Sequence, residues 1–264
     1  MFIKKDKYGV GTGRLRKLRV LSAIIVGCCV LFINTAGVAA NGSVHTESEK
    51  KPEPIAEGEV SAALLAEVGT GRVVYEYNSE EKLPAAGLTR LAALVSVCKG
   101  FDEGRLKPGD AVSVSEKAAG IGGTTAFLKA GEQMDAETML LAAVMINAGD
   151  ATHSLALAAA GSESAAVQEI NACMAGIGVE TNFSEICGAG EKLSASELAK
   201  IGAALTASES YRKFGTKFYE KIEHNTGAGA TELANPNKLV KQYSGCIGVG
   251  TGSSTEAGYC GVFA

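Results

Sequence analysis

Apolar and polar positions change rhythm several times along the chain. Two short runs, Ala62-Ala63-Leu64-Leu65-Ala66-Glu67-Val68 and Arg72-Val73-Val74-Tyr75-Glu76-Tyr77, flank Gly69-Thr70-Gly71. Strand-like runs around a glycine turn predict a β-hairpin. From Leu88 to about Phe101 apolar residues recur at helical spacing, with Gly87 before them as a permissive N-cap. A second helix is predicted from Asp135, its N-cap, to Asn147, and its body Met139 to Ile146 is almost wholly apolar, so it must be central. Helical patterns follow over 151–160 and 163–175, and Ser194-Ala195-Ser196-Glu197 is a capping-box signature opening a helix that runs to about Thr206. Two strand-like runs close the pattern, Cys246 to Thr251 and Ala257 to Phe263. A hairpin, a block of helices and strands again is the order of an α+β domain whose terminal strands share a sheet.

Composition narrows this picture. With 264 residues and 46% apolar side chains the chain can bury one sizeable core, but 33 glycines, many alanines and no tryptophan mean that its helices pack through small residues. Such a core is expected to be only modestly stable. Residues 1–40 begin with seven bases (Lys4, Lys5, Lys7, Arg14, Arg16, Lys17, Arg19) against one acid, Asp6, then run apolar from Val20 to Ile33 and small over Ala36-Gly37-Val38-Ala39-Ala40. These are the three regions of a secretory signal peptide, with cleavage after Ala40. A retained membrane anchor is the alternative, although about 14 apolar residues fall short of the roughly 20 that span a bilayer. Ile25-Val26-Gly27-Cys28 also looks like a lipoprotein processing site. On each of these readings the domain is exported, and the N-terminal segment engages the membrane as it leaves. Residues 41–58, polar and carrying Pro52 and Pro54, read as a linker, and the folded domain is expected over 59–264.

The formal net charge of −4 hides a +6 leader, so the remainder carries −10, which argues against nucleic-acid binding. Five of the seven cysteines lie beyond Ala40 (Cys98, Cys173, Cys187, Cys246, Cys260); an odd number without metal-type spacing reads as buried free thiols. His45, His153 and His224 are scattered without ligand spacing or an Asp or Ser partner, so each takes a surface or core role, and neither a metal nor another cofactor is expected.

Several strings, taken together, carry a family resemblance. Ala66-Glu67-Val68-Gly69-Thr70-Gly71-Arg72-Val73-Val74-Tyr75-Glu76-Tyr77-Asn78 and Leu83-Pro84-Ala85-Ala86-Gly87-Leu88-Thr89-Arg90 resemble the first hairpin and nucleophile helix of the serine D-alanyl-D-alanine carboxypeptidases, the low-molecular-weight penicillin-binding proteins. Gly122 to Glu132 resembles their next loop; Asn235-Pro236-Asn237-Lys238-Leu239, Gly248 to Gly252 and Glu256 to Cys260 resemble the approach to and exit from their third motif. The resemblance covers roughly 60–264. It implies a β-lactamase or transpeptidase-like α+β fold, an antiparallel sheet with a helical subdomain. It also implies a further strand and a final helix beyond Ala257 to Ala264, pairing with the first hairpin; otherwise residues 61–68 need another partner for their backbone groups.

That family works through Ser-x-x-Lys, Ser-x-Asn and Lys-Thr-Gly motifs. The resemblance implies that Gly87 stands at the nucleophile, Arg90 at the lysine base, Ala148 and Asp150 at the ends of the second motif, and Gly250 at the third-motif lysine. Glycine cannot form an acyl-enzyme, and a guanidinium with pKa above about 12 is no general base near neutrality. Asp150 is expected to repel an anionic substrate, while Thr251 and Gly252 remain as candidate ligand contacts. The expectation is an exported, catalytically inactive relative with a binding or scaffolding role in peptidoglycan metabolism, its partner a stem peptide or an envelope protein. An active serine carboxypeptidase is the alternative, using Ser96 and Lys99 of Ser96-Val97-Cys98-Lys99. These lie nine residues past Gly87, about 13 Å along the helix axis. A third reading is a broken gene product. Thr89, two residues from Gly87 on the helix, faces elsewhere and is expected in packing or solvent.

Overall fold

A computed structural model of the chain describes residues 60–264 apart from 189 and 228; the expected leader (1–40) and linker (41–58) lie outside the described residues. In chain order the elements are β1 (Ala63–Ala66), β2 (Val73–Tyr77), β3 (Leu83–Pro84), a 3-10 turn (Ala86–Thr89), α1 (Arg90–Asp102), β4 (Ala111–Ser113), α2 (Glu116–Ala119), β5 (Gln133–Asp135), α3 (Ala136–Ile146), α4 (Gly149–Ala160) and α5 (Glu163–Gly176). There follow β6 (Lys192–Leu193), α6 (Ala195–Ala207), α7 (Glu209–Gly215), β7 (Tyr219–Glu223), β8 (Ala230–Ala234), α8 (Leu239–Gln242), β9 (Val249–Ser254) and β10 (Gly258–Phe263). Among the described residues no helix is long and apolar enough to cross a membrane.

Local chemistry accounts for most boundaries. The β1–β2 turn closes where the Gly71 N–H donates to Glu67 O at 2.8 Å with Gly71 at φ +72°, a conformation glycine adopts without strain. Asp135 caps α3 by accepting the Thr138 N–H, Ser162 caps α5 through Ala165, and Ser194 with Glu197 forms the capping box of α6. Gly87 is not an N-cap: the 3-10 turn starts before it at Ala86 and runs into α1.

The core forms around α1 and α3. Buried residues line α1 on every side (Leu91, Ala92, Ala93, Leu94, Val97, Cys98), as expected of a helix enclosed by others, and it packs on α4, α5, α6 and α7. Met139, Leu140 and Ala142 to Met145 place α3 at the centre. Ala92, Ala93, Ala143, Ala151 and Ala156 let the helices approach closely, and the few large anchors include Tyr211 and Phe183. The Tyr211 hydroxyl donates to Val249 O at 3.2 Å, joining α7 to β9. All five described cysteines carry free thiols; Cys98, Cys173 and Cys246 are buried, and Cys187 and Cys260 partly so.

Among the described residues the strands form five separate two-stranded antiparallel ladders: β1–β2, β3–β6, β4–β5, β7–β8 and β9–β10. This corrects the expectation that the terminal strands share one sheet. The first and last hairpins both pack on α6, where a Cβ on Gly202 would lie 2.7 Å from Val262 Cγ1, but among the described residues β1 is paired only with β2, and β10 only with β9.

The β7–β8 hairpin escapes sequence reading because only Ile222 and Leu233 of it are buried. It is tied down by His224, whose Nδ1 lies 2.8 Å from Glu132 Oε1 and whose Nε2 lies 2.8 Å from Thr231 Oγ1. His224, expected from the sequence to have no Asp or Ser partner, therefore meets a glutamate far from it in the chain.

Candidate functional site

A cavity of about 540 Å³ opens between the 3-10 turn, the start of α1, the loop after α2, the first turns of α4, residues before and at the start of β6 (among them Glu185, Cys187 and Glu191) and the end of β9. That is the size of a small-ligand site. Gly87 and Arg90 line it, as do Lys117, His153, Cys187 and Glu191.

At Gly87 there is room without chemistry. A Cβ built there would touch only Asn147 Nδ2, at 3.6 Å, and that nitrogen donates to Gly87 O at 2.6 Å. From the other side Gly252 of β9 comes so close that its own Cβ would lie 3.1 Å from the Gly87 nitrogen, which explains a glycine at 252. Gly250 faces inward, its Cβ position 3.5 Å from Leu91 Cδ2, so no cation reaches the cleft from that residue. Neither Thr251 nor Gly252 is among the residues lining the cavity, whose β9 side is formed by Ser254 and Glu256.

Arg90 is buried and bonded entirely to backbone. It donates to the carbonyls of Thr124 (2.9 Å), Asn147 (3.3 Å) and Gly122. A guanidinium distributes donors in a plane and can hold three carbonyls at once, whereas an ammonium is a point. Gly149 makes way for it, since a Cβ there would lie 2.9 Å from Arg90 Cζ and 2.7 Å from Ile121 Cγ2. Arg90 thus joins the loop 122–124 to the α3–α4 junction.

The residues that face the start of α1 are one position earlier than expected. Facing Gly87 and Arg90 are Asn147 and Gly149, not Ala148 and Asp150. Asp150 is 1% exposed, and its carboxylate accepts the backbone N–H groups of Ala126 (2.9 and 3.0 Å), Leu128 (3.0 Å) and Ala151 (2.8 Å). With its lone pairs so used, its charge is spent on the 126–128 loop and not directed at a ligand in the cleft. Of Asn147, Ala148, Gly149 and Asp150 only the last two are helical; successive helical residues point about 100° apart, so Asp150 turns to the core where Gly149 faces Arg90.

Of the other sequence candidates, Ser96 is 5% exposed and absent from the cavity lining. Lys99 reaches outward to Glu103 at 3.8 Å. Thr89 is buried and donates to Ala86 O and Cys187 O, and it lines the cavity with Gly87, which corrects the expectation that it faces elsewhere. Cys187 is a cavity residue that sequence reading did not single out; its Sγ lies 3.6 Å from Gly149 O, and burial pushes its pKa up to about 11, so it is a thiol and not a thiolate near neutrality. His153 was set aside for want of a partner in sequence. It lies at the cavity with Glu163 Oε1 3.6 Å from its Nε2, ten residues along and on the next helix. Among the described residues no group of three His, Cys, Asp or Glu is arranged to hold a metal ion.

A model of the D-alanyl-D-alanine carboxypeptidase family matches residues 46–264. The D-alanyl-D-alanine carboxypeptidase DacF of Bacillus subtilis is 32% identical over 246 residues, which is 92% of this chain; the chain spans 61% of that relative's length. Among solved structures, the carboxypeptidase DacD of Francisella tularensis superposes with a TM-score of 0.68 at 20% identity, covering 76% of this chain and 61% of its own. A D-alanyl-D-alanine carboxypeptidase from Mycobacterium tuberculosis gives 0.66 at 19% identity, covering 77% of each chain. Those structural likenesses establish the β-lactamase-like fold of the penicillin-binding proteins. With the family match running over most of the sequence, the chain belongs to the D-alanyl-D-alanine carboxypeptidase family.

Proposed function

We propose that this chain is a non-catalytic member of its family that keeps the cleft as a non-covalent peptide site and acts outside the cytoplasm, at the cell envelope, in peptidoglycan metabolism. The observation that carries this reading is the pairing of Gly87 with Arg90. The first offers no atom to attack a carbonyl, and the second holds its guanidinium on three backbone carbonyls where a proton acceptor would be needed. Export rests on the basic and apolar pattern of residues 1–40.

Without a nucleophile, the residues of the cleft can bind, orient and exclude water. Arg90 holds the 122–124 loop in place, Asp150 holds the loop that follows it, and Gly252 keeps β9 against the 3-10 turn. The wall of the cavity is therefore preformed, which lowers the ordering cost of binding. The test is intact-mass spectrometry of the full chain after incubation with a reactive penicillin, with Ser96→Ala alongside. No adduct on a sample that melts cooperatively is expected; a mass gain of one penicillin would sink the non-catalytic reading, and its loss in Ser96→Ala would assign the chemistry to that serine.

A further inference from the structure

His153 is a polar side chain that the fold leaves wholly without hydrogen bonds. It sits on α4 beside the cavity, 2% exposed, and neither ring nitrogen has a partner. A buried imidazole without hydrogen bonds is unfavourable when neutral and more so when charged, so its neighbours decide what a proton does there.

Among the described residues three charges act on the ring. Glu163, in the first turn of α5, brings Oε1 to 3.6 Å from Nε2, beyond hydrogen-bonding distance. Its Oε2 accepts from Lys117 Nζ of α2 at 2.5 Å. Glu185, before β6, is the third. Arg90, at the start of α1, is occupied by backbone carbonyls, and the Cys187 thiol stays protonated near neutrality. Glu191, Lys192 and Glu256 also line the cavity. Burial pushes the His153 pKa down, Glu163 and Glu185 pull it up and Lys117 pushes it down again, so that it lies below the ordinary 6.5. The ring is therefore neutral near pH 7 and takes its proton on acidification.

Water reaches a charged ring most easily past α2, which packs on α4. Of its four residues, Glu116–Ala119, only Ala118 is buried. Its tie to α5 is the Lys117–Glu163 bridge, whose side chains are 50% and 43% exposed, and a bridge so exposed is weak. A cation at His153 would repel Lys117 and draw the free Glu163 Oε1 toward itself, and both changes loosen that tie. The segment has fixed ends. On one side Val114 donates to Glu132 O and accepts from the Gly131 N–H, at 2.9 Å each; on the other Arg90 holds Gly122 O.

We propose that α2 is a proton-operated lid: protonation of His153 lifts residues 115–121 from α4 and opens the cavity on that side. The lid operates whatever the cavity binds. A histidine whose folded pKa lies below its unfolded value adds stability that is complete above the unfolded value and is lost as pH falls through the folded one. Opening therefore belongs below pH 6.5. Glu163 keeps its charge there, because the hydrogen bond from Lys117 holds its pKa below the ordinary 4.5.

The experiment is amide hydrogen exchange of the full chain, read by mass spectrometry at about pH 7.5 and about pH 5 and corrected for the intrinsic pH dependence of exchange. Protection over 115–122 is expected to fall about tenfold at the lower pH, while that of α3 is unchanged. In His153→Leu, which removes the titrating ring and strands no partner, protection over 115–122 is expected to be equal at the two pH values. His153→Gln, also neutral, should behave alike. Equal protection of 115–122 in the unmodified chain at both pH values overturns the lid. A fall shared by α3 is a global loss of stability in acid and overturns it too. A fall that survives in the variants overturns the choice of His153. The comparisons on the unmodified chain need no variant to fold.

Discussion

At Gly87 a serine side chain has space, because the nearest atom to a Cβ there is Asn147 Nδ2 at an ordinary van der Waals distance. Gly87→Ser is therefore expected to fold with a melting temperature close to that of the parent. It is also expected to remain unacylated by penicillin in intact-mass spectrometry, since Arg90 still offers no base. The opposite result is expected at Arg90. Removing the guanidinium leaves the carbonyls of Asn147 and Gly122 without that donor in a buried site, while Thr124 O keeps only the Gly149 N–H at 2.9 Å. Arg90→Ala should cost about 2–4 kcal/mol in denaturant unfolding. Arg90→Lys should recover only part of it, because one ammonium cannot span three acceptors arranged around a plane.

The elements are stabilised at their ends as much as by their buried faces, and α6 shows it best. Glu197 closes the capping box with Ser194, accepts from the backbone and hydroxyl of Thr181, and pairs with Lys82. Burial disfavours its charge, but Lys82 and the Ser194 and Thr181 hydrogen bonds together outweigh that, and its pKa falls below the ordinary 4.5. A carboxylate whose folded pKa is depressed adds stability that is complete above the unfolded value and is lost as pH falls through the folded one. Unfolding free energy should therefore decline as pH drops below about 4.5. Glu197→Gln should be less stable by about 1–3 kcal/mol near neutrality and show a flatter decline in acid. Equal acid slopes in the two proteins would remove Glu197 as the source.

Across the whole molecule, long-range polar ties do what few large apolar anchors cannot. Glu132 and His224 are 92 residues apart, and their 2.8 Å contact seats the β7–β8 hairpin against the segment before β5. The side chain of Glu132 is fully buried, so His224→Ala strands a carboxylate and should cost about 2–4 kcal/mol. Amide hydrogen exchange should rise across Tyr219–Glu223 and Ala230–Ala234 before it rises in α3, if the hairpin is released as a unit. Uniform loss of protection would mean instead that the contact supports the whole core.

The sequence by itself determined the features that depend on residues within about four positions of one another. The caps of α3 and α6, the turn of the first hairpin and the apolar body of α3 all belong to this class, because a helix cap or a tight turn is closed by its own neighbours. Only tertiary structure decided that Asn147, at the end of α3, and Gly149, at the start of α4, face Gly87 and Arg90, and not Ala148 and Asp150. A helix turns about 100° per residue, and nothing local sets its phase against a distant loop. The same holds for His153 and Glu191, which meet one cavity from separate segments, and for the separate ladders of β1–β2 and β9–β10. Apolar patterning marks a segment as a strand, but the edge it pairs with is chosen by the packing of the whole chain on α6.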